Sequence, residues 1–202
     1  MHAWEVVTAF GDSAVLLPCI VMPTFWLSAS RTTRALTWRW LLLLALVATL
    51  VAASKLAFMV WGIGVSSLDF TGASGHSAMS AAVWPTLLSL LGRGERRDFG
   101  VAGATAGLGF ATAIAMSRVM INAHSWTEVF VGFFFGAAAA GVFLWRLGSR
   151  WRLESPVWPL ALTLLLLLPI TFGLRFPSEH LFHVVAKRLS SDSSFHVRHH
   201  SG

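Results

Sequence analysis

The stretch WRWLLLLALVATLVAASKLAFMVWG, Trp38–Gly62, carries one charged residue, Lys55, after Arg39 in its first turn. A helix needs roughly 20 apolar residues to cross a bilayer, and this run supplies them. Tryptophans stand at its two ends, where an indole rests half among headgroups and half among acyl tails.

Five comparable runs lie to either side, at about Asp12–Ser30, Ser77–Gly92, Phe99–Ile121, Trp126–Leu147 and Val157–Phe176. The chain of 202 residues is 55% hydrophobic and only 12% charged, where a soluble globule carries about a quarter charged residues. The reading is an all-α polytopic membrane bundle of about six transmembrane helices. The first run is too embedded in a multi-span pattern to be a cleaved signal peptide. Trp38, Trp40, Trp61, Trp126, Trp145, Trp151 and Trp158 all fall near predicted span ends. Residues 1–177 form one membrane-embedded domain, followed by an extracytoplasmic tail, 178–202. In that tail Ser178–Ser190 has the pattern of a short amphipathic helix. From Ser191 the sequence turns polar, with His196, His199 and His200, and reads as a disordered end.

The arginines orient the chain. Arg31, Arg34 and Arg39 mark the first connection, Arg93, Arg96 and Arg97 the third, and Arg146, Arg150 and Arg152 the fifth. The second connection has no Lys or Arg, and the fourth has only Arg118. By the positive-inside rule the odd connections are cytoplasmic, so the even connections and both termini face the other side. The net charge of +6 is mostly this topological arginine. It is scattered through short loops without a continuous basic face, which argues against nucleic acid as a partner. Contact with anionic lipid headgroups is the secondary reading. Cys19 stands alone, which excludes a disulfide or cysteine-rich metal framework. Gly103 and Gly107, and likewise Gly132 and Gly136, are spaced to let neighbouring helices approach closely.

Titratable groups beside hydrocarbon are expensive and mark function. The fifteen Lys and Arg include only two lysines, Lys55 and Lys187. Lys55 is either a snorkelling side chain or a compact cation for a substrate anion. Ser74-Gly75-His76 precedes the third span. A helix starting there offers free N–H groups and a positive dipole end to an anion, with serine as its cap. Glycine lets an anion come near the backbone. His124 and Glu128, four apart, meet on one helix face, where the carboxylate can fix the imidazole tautomer. Arg118 presents a planar fork suited to phosphoryl oxygens. The plainer alternative is an interfacial Arg118–Glu128 ion pair. The helix should break between Arg118 and His124, and Asn122 is the expected place. Asp69 lies nearby with no assigned role.

Lys55, Ser74-Gly75-His76 and Ser117-Arg118-x5-His124-x3-Glu128 together resemble the three-part signature of the type 2 phosphatidic acid phosphatase superfamily: K-x6-R-P, P-S-G-H and S-R-x5-H-x3-D. The resemblance covers roughly Lys55–Phe135. Three positions depart from it: Gly62 and Ile63 replace Arg-Pro, Ala73 replaces proline, and Glu128 replaces aspartate. The resemblance implies cofactor-free, metal-independent hydrolysis through a phosphohistidine. His124 would be the nucleophile, Glu128 its orienting partner, and His76 the general acid. Lys55, Ser74, Gly75 and Arg118 would bind phosphoryl oxygens. Arg175, at the outer end of the last span, is a candidate to replace the missing arginine, or an ordinary juxtamembrane residue.

The expected function is a bacterial inner-membrane phosphatase, acting on a lipid-linked phosphate or diphosphate at the extracytoplasmic face. Its partners are the bilayer and that lipid, with no nucleic acid; the sequence does not fix the oligomeric state. The alternatives are a lipid phosphotransferase using the same site and a catalytically silent headgroup binder. A transporter lacks support, because no buried acid chain or broken helix pair marks the other spans.

Overall fold

The computed structural model describes residues 3–29, 31–64, 69–93, 99–148 and 158–172. These residues form seven helices: α1 Ala3–Ala9, α2 Ser13–Ser28, α3 Arg31–Trp61, α4 Gly75–Leu91, α5 Gly100–Met120, α6 Trp126–Leu147 and α7 Trp158–Thr171. The bundle is all-α. Among the described residues, four segments are long and apolar enough to cross a membrane: Ala3–Ser28 taken through its internal turn, Thr33–Trp61, Gly100–Met120 and Trp126–Leu147. The protein is a membrane protein. α4, with 17 residues, and α7, with 14, are shorter.

Helices α2 to α7 answer to the six expected spans. α1 is an addition, because the sequence reading began the first span at Asp12. That residue is the N-cap of α2, its Oδ1 accepting from the Ala14 N–H at 2.9 Å. A cap acceptor is strongly preferred where four backbone donors lack helical partners.

α4 is the hub, and its position explains its length. Ala78, Ala81, Val83, Leu87 and Leu90 are buried, as are Ser77, Ser80 and Thr86, so it is walled by protein rather than lipid. The paired glycines make this possible. A Cβ at Gly136 would fall 2.0 Å from the Ala78 carbonyl oxygen, and one at Gly132 would fall 2.5 Å from that of Ser74. Gly103 and Gly107 seat α5 against Leu88, Trp84 and Pro85 of the same helix in the same way. Small residues at this spacing let backbones touch. The outer faces of α3, α5, α6 and α7 expose Leu42, Val101, Phe130, Phe134 and Leu165, as a bilayer solvent requires.

Two assignments change. Trp40 is no belt residue: it is buried at 1% exposure and packs against Phe143 with ring centroids 6.3 Å apart. Trp38, Trp61, Trp126, Trp145 and Trp158 remain exposed. Arg93 is more than a topological charge. It is 5% exposed, and its Nη1 donates to the Gly148 carbonyl at 2.6 Å, tying the end of α4 to the end of α6. Arg175 and the tail from Ser178 onward lie outside the described residues.

A histidine–carboxylate site at one end of the bundle

Five helix ends meet where the titratable residues gather: the starts of α2, α4 and α6 and the ends of α3 and α5. The turn from α5 to α6 is fixed by backbone alone. Asn122 takes φ +56°, the left-handed conformation that asparagine tolerates better than most residues. Around it the Ala123 N–H donates to the Arg118 carbonyl at 3.0 Å and the Asn122 N–H to that of Val119 at 2.9 Å. This is a Schellman turn. The His124 N–H also reaches the Arg118 carbonyl, at 3.2 Å. The expected break at Asn122 thus folds His124 back beside Arg118, and accounts for the five residues between them.

α6 then opens with a capping box. Ser125 Oγ accepts from the Glu128 N–H at 3.3 Å, and Glu128 Oε2 accepts from the Ser125 N–H at 3.2 Å. The same Oε2 lies 2.7 Å from His124 Nδ1. Oε1 accepts from the Thr71 N–H at 2.8 Å and from its hydroxyl. Glu128 is fully buried, and a buried carboxylate is tolerable only when so many donors meet it. A glutamate at the third helical position is the usual partner in such a box. Its extra methylene allows one carboxylate to reach the cap, the imidazole and Thr71 together. The sequence Ser125-Trp126-Thr127-Glu128 carried that signal, and the sequence reading missed it. Thr71 had no comparable signal.

The other two departures from the family pattern also have structural causes. The Ala73 N–H donates to Ser54 Oγ at 3.0 Å; proline has no N–H and could not. Gly62 terminates α3 with φ +65°, its N–H returning to the Phe58 carbonyl at 2.8 Å. The position expected to hold an arginine is a left-handed helix stop, which suits glycine.

α4 begins at Ser74, whose N–H donates to the Glu128 carbonyl at 3.0 Å. Ser74 Oγ accepts from the Ser77 hydroxyl at 3.1 Å and caps the helix. Ser74 is thus the helix cap expected at this position. Gly75 and His76 follow as the first two helical residues, so their N–H groups have no intrahelical acceptor. Gly72 curls against the backbone and stem of Lys55, placing that lysine beside the same turn. Arg118 Nη1 donates to Thr8 Oγ1 at 3.1 Å, and His76 Nε2 stands 3.8 Å from Asp12 Oδ2. Glu128 holds His124, Ser125 and Thr71 at the core of the cluster.

Burial is the main influence on His124 and lowers its pKa from 6.5. The charges of Lys55 and Arg118 act in the same direction, while the hydrogen bond and charge of Glu128 oppose them. With Nδ1 held by the carboxylate, a neutral His124 carries its lone pair on Nε2. The fields of Lys55, Arg118 and His124 all reach His76 as well, so the predicted cluster comes together. Among the described residues no group of three or more His, Cys, Asp or Glu is arranged to hold a metal ion.

Comparison with known proteins agrees with this arrangement. A family model described as the PAP2 superfamily matches residues 61–152, the interval that holds both histidines, Arg118 and Glu128. The protein described as "Uncharacterized 22.5 kDa protein in cps region" of Klebsiella pneumoniae is 44% identical over 141 residues, 70% of this chain and 68% of that protein. No solved structure matches significantly. With its motif residues converging on one buried histidine–carboxylate pair, the chain belongs to the PAP2 superfamily, whose domain points to phosphatase-type activity.

Proposed function

We propose that this protein hydrolyses a lipid-linked phosphate or diphosphate through a phosphohistidine. The observation that carries the reading is the 2.7 Å contact of Glu128 with His124 Nδ1, which leaves Nε2 as an oriented nucleophile. His124 Nε2 attacks phosphorus, and the bond to the lipid oxygen breaks as His76 gives that oxygen a proton. Water then attacks the phosphohistidine and yields a proton to the now neutral His76. The P–N bond breaks and inorganic phosphate leaves. Lys55, Arg118 and the first N–H groups of α4 offset charge on the phosphoryl oxygens.

The site lies at the bundle end opposite Arg31, Arg34, Arg39, Arg93 and Arg146, which supports an extracytoplasmic location by the positive-inside rule. The setting this reading favours is the cytoplasmic (inner) membrane of a bacterium. The test is release of inorganic phosphate by purified protein in detergent with EDTA, from a panel of phosphatidate, phosphatidylglycerol phosphate and polyprenyl diphosphate. His124→Ala and His76→Ala should abolish it, and label from a phosphorus-32 substrate should be trapped on His124. Silence of the intact protein on every substrate would overturn the proposal.

A further inference from the structure

The turn between α1 and α2 lies outside the 61–152 family match, yet it forms one wall of the site. Thr8 Oγ1 accepts from Arg118 Nη1 at 3.1 Å. Gly11 is pressed so closely against α4 and α5 that a Cβ there would fall 2.7 Å from Ile114 Cγ2, 3.0 Å from Ser80 Oγ and 3.2 Å from His76 Cδ2. The Phe10 carbonyl accepts from Trp84 Nε1 at 3.3 Å, and the Phe10 ring packs against Phe172 at the end of α7. The turn is therefore a fixed part of the bundle.

Asp12 is held by this turn in two ways. Its N–H donates to the Ala9 carbonyl at 3.1 Å, and its Oδ1 caps α2 through the Ala14 N–H. Its Oδ2 faces His76 Nε2 at 3.8 Å, with the two side chains 15% and 24% exposed. Burial and the charges of Arg118 of α5, His124 of the α5–α6 turn and Lys55 of α3 act on His76. All of these disfavour a positive imidazole. A general acid must hold a proton before it can give one, and a carboxylate as near as Asp12, 3.8 Å away, favours that proton.

We infer that Asp12 is the positioning residue of the general acid, holding His76 in place and supporting its imidazolium until the leaving oxygen takes the proton. The inference rests on the phosphatase reading above. Catalytic hydrogen bonds are often long before substrate binds, and the 3.8 Å separation fits a pair that tightens around the substrate.

The leaving group makes the test selective. An alkyl oxygen leaving a lipid phosphate needs a proton, whereas p-nitrophenolate leaves without one. Asp12→Asn keeps a good helix cap and removes the charge; Asp12→Ser does the same with another side chain. In both variants, kcat for a lipid phosphate should fall by on the order of tenfold or more with little change in KM. The loss on p-nitrophenyl phosphate should be much smaller, and the alkaline limb of the lipid-phosphate pH–rate profile should move to lower pH. Asp12→Glu should recover part of the rate, and His76→Ala should show the same preference for the aryl substrate. If His76→Ala is selective but Asp12→Asn and Asp12→Ser slow both substrates equally, or neither, the inference is overturned and the phosphatase reading stands. If intact protein hydrolyses neither substrate, that reading falls and takes the inference with it.

Discussion

Glu128 carries His124 on one carboxylate oxygen and Thr71 on the other. One buried side chain thereby starts helix α6, closes the segment before α4 and fixes the tautomer of His124. Replacing it by glutamine preserves size but removes the charge and allows the wrong tautomer. Phosphate release by Glu128→Gln should fall roughly 10²- to 10⁴-fold. Thr71→Val, which loses one charge-assisted bond, should cost about tenfold. Full turnover by Glu128→Gln in the phosphate-release assay would refute the orienting role.

His124 should stay neutral through the physiological range. Its folded pKa lies below its ordinary 6.5, so the unfolded chain takes up a proton first as pH falls. The contribution of this residue to stability is therefore level above about pH 6.5 and declines as pH drops from there toward the folded pKa. Nitrogen-15 histidine spectra in detergent should show His124 titrating below 6.5. In Glu128→Gln the midpoint should move lower still, because the opposing charge is gone. A midpoint above 6.5 in the intact protein would contradict the dominance of burial.

Two glycine-to-alanine changes should separate packing from chemistry. At Gly75 a Cβ would sit 3.7 Å from Val51 Cγ1, an ordinary contact, so Gly75→Ala should melt close to the parent. If an anion approaches the α4 backbone there, KM should rise several-fold. Gly136→Ala drives a Cβ into the Ala78 carbonyl and should cost about 1–3 kcal/mol of stability. Thermal unfolding and kinetics on the two proteins decide it.

Restoring the family residues should do harm. Gly62→Arg places a side chain at φ +65°, costing about 1 kcal/mol. Ala73→Pro deletes the donor that Ser54 Oγ accepts and should cost about 1–3 kcal/mol. Lower melting temperatures with no gain in turnover are expected from both. A faster Gly62→Arg protein would show that the missing cation limits the rate.

Much of this arrangement was written in the sequence. The six apolar runs became helices because lipid leaves a backbone no other satisfied choice. The break at Asn122 and the packing of the glycine pairs follow from local chemistry that reads directly. The pairing of His124 with Glu128 follows from their spacing. Other features needed the folded chain. Trp40 faces the core, yet a tryptophan near the start of an apolar run looks the same in either setting. α1 is a seven-residue helix held by tertiary contacts, and short helices have little signal of their own. Thr71 lies far in sequence from Glu128, and Asp12 from His76, so no motif spacing could announce them. The three departures from the family pattern each carry a backbone bond or turn of their own.

The dual duty of Glu128 has a consequence for biogenesis. His124 is aimed only after α6 has wound its first turn and docked against the segment leading into α4. A chain still threading into the membrane holds the same histidines without their alignment. On the proposed mechanism, such a chain would not yet turn over substrate. Turnover per molecule would then count correctly inserted protein, and folding itself would act as the safety catch.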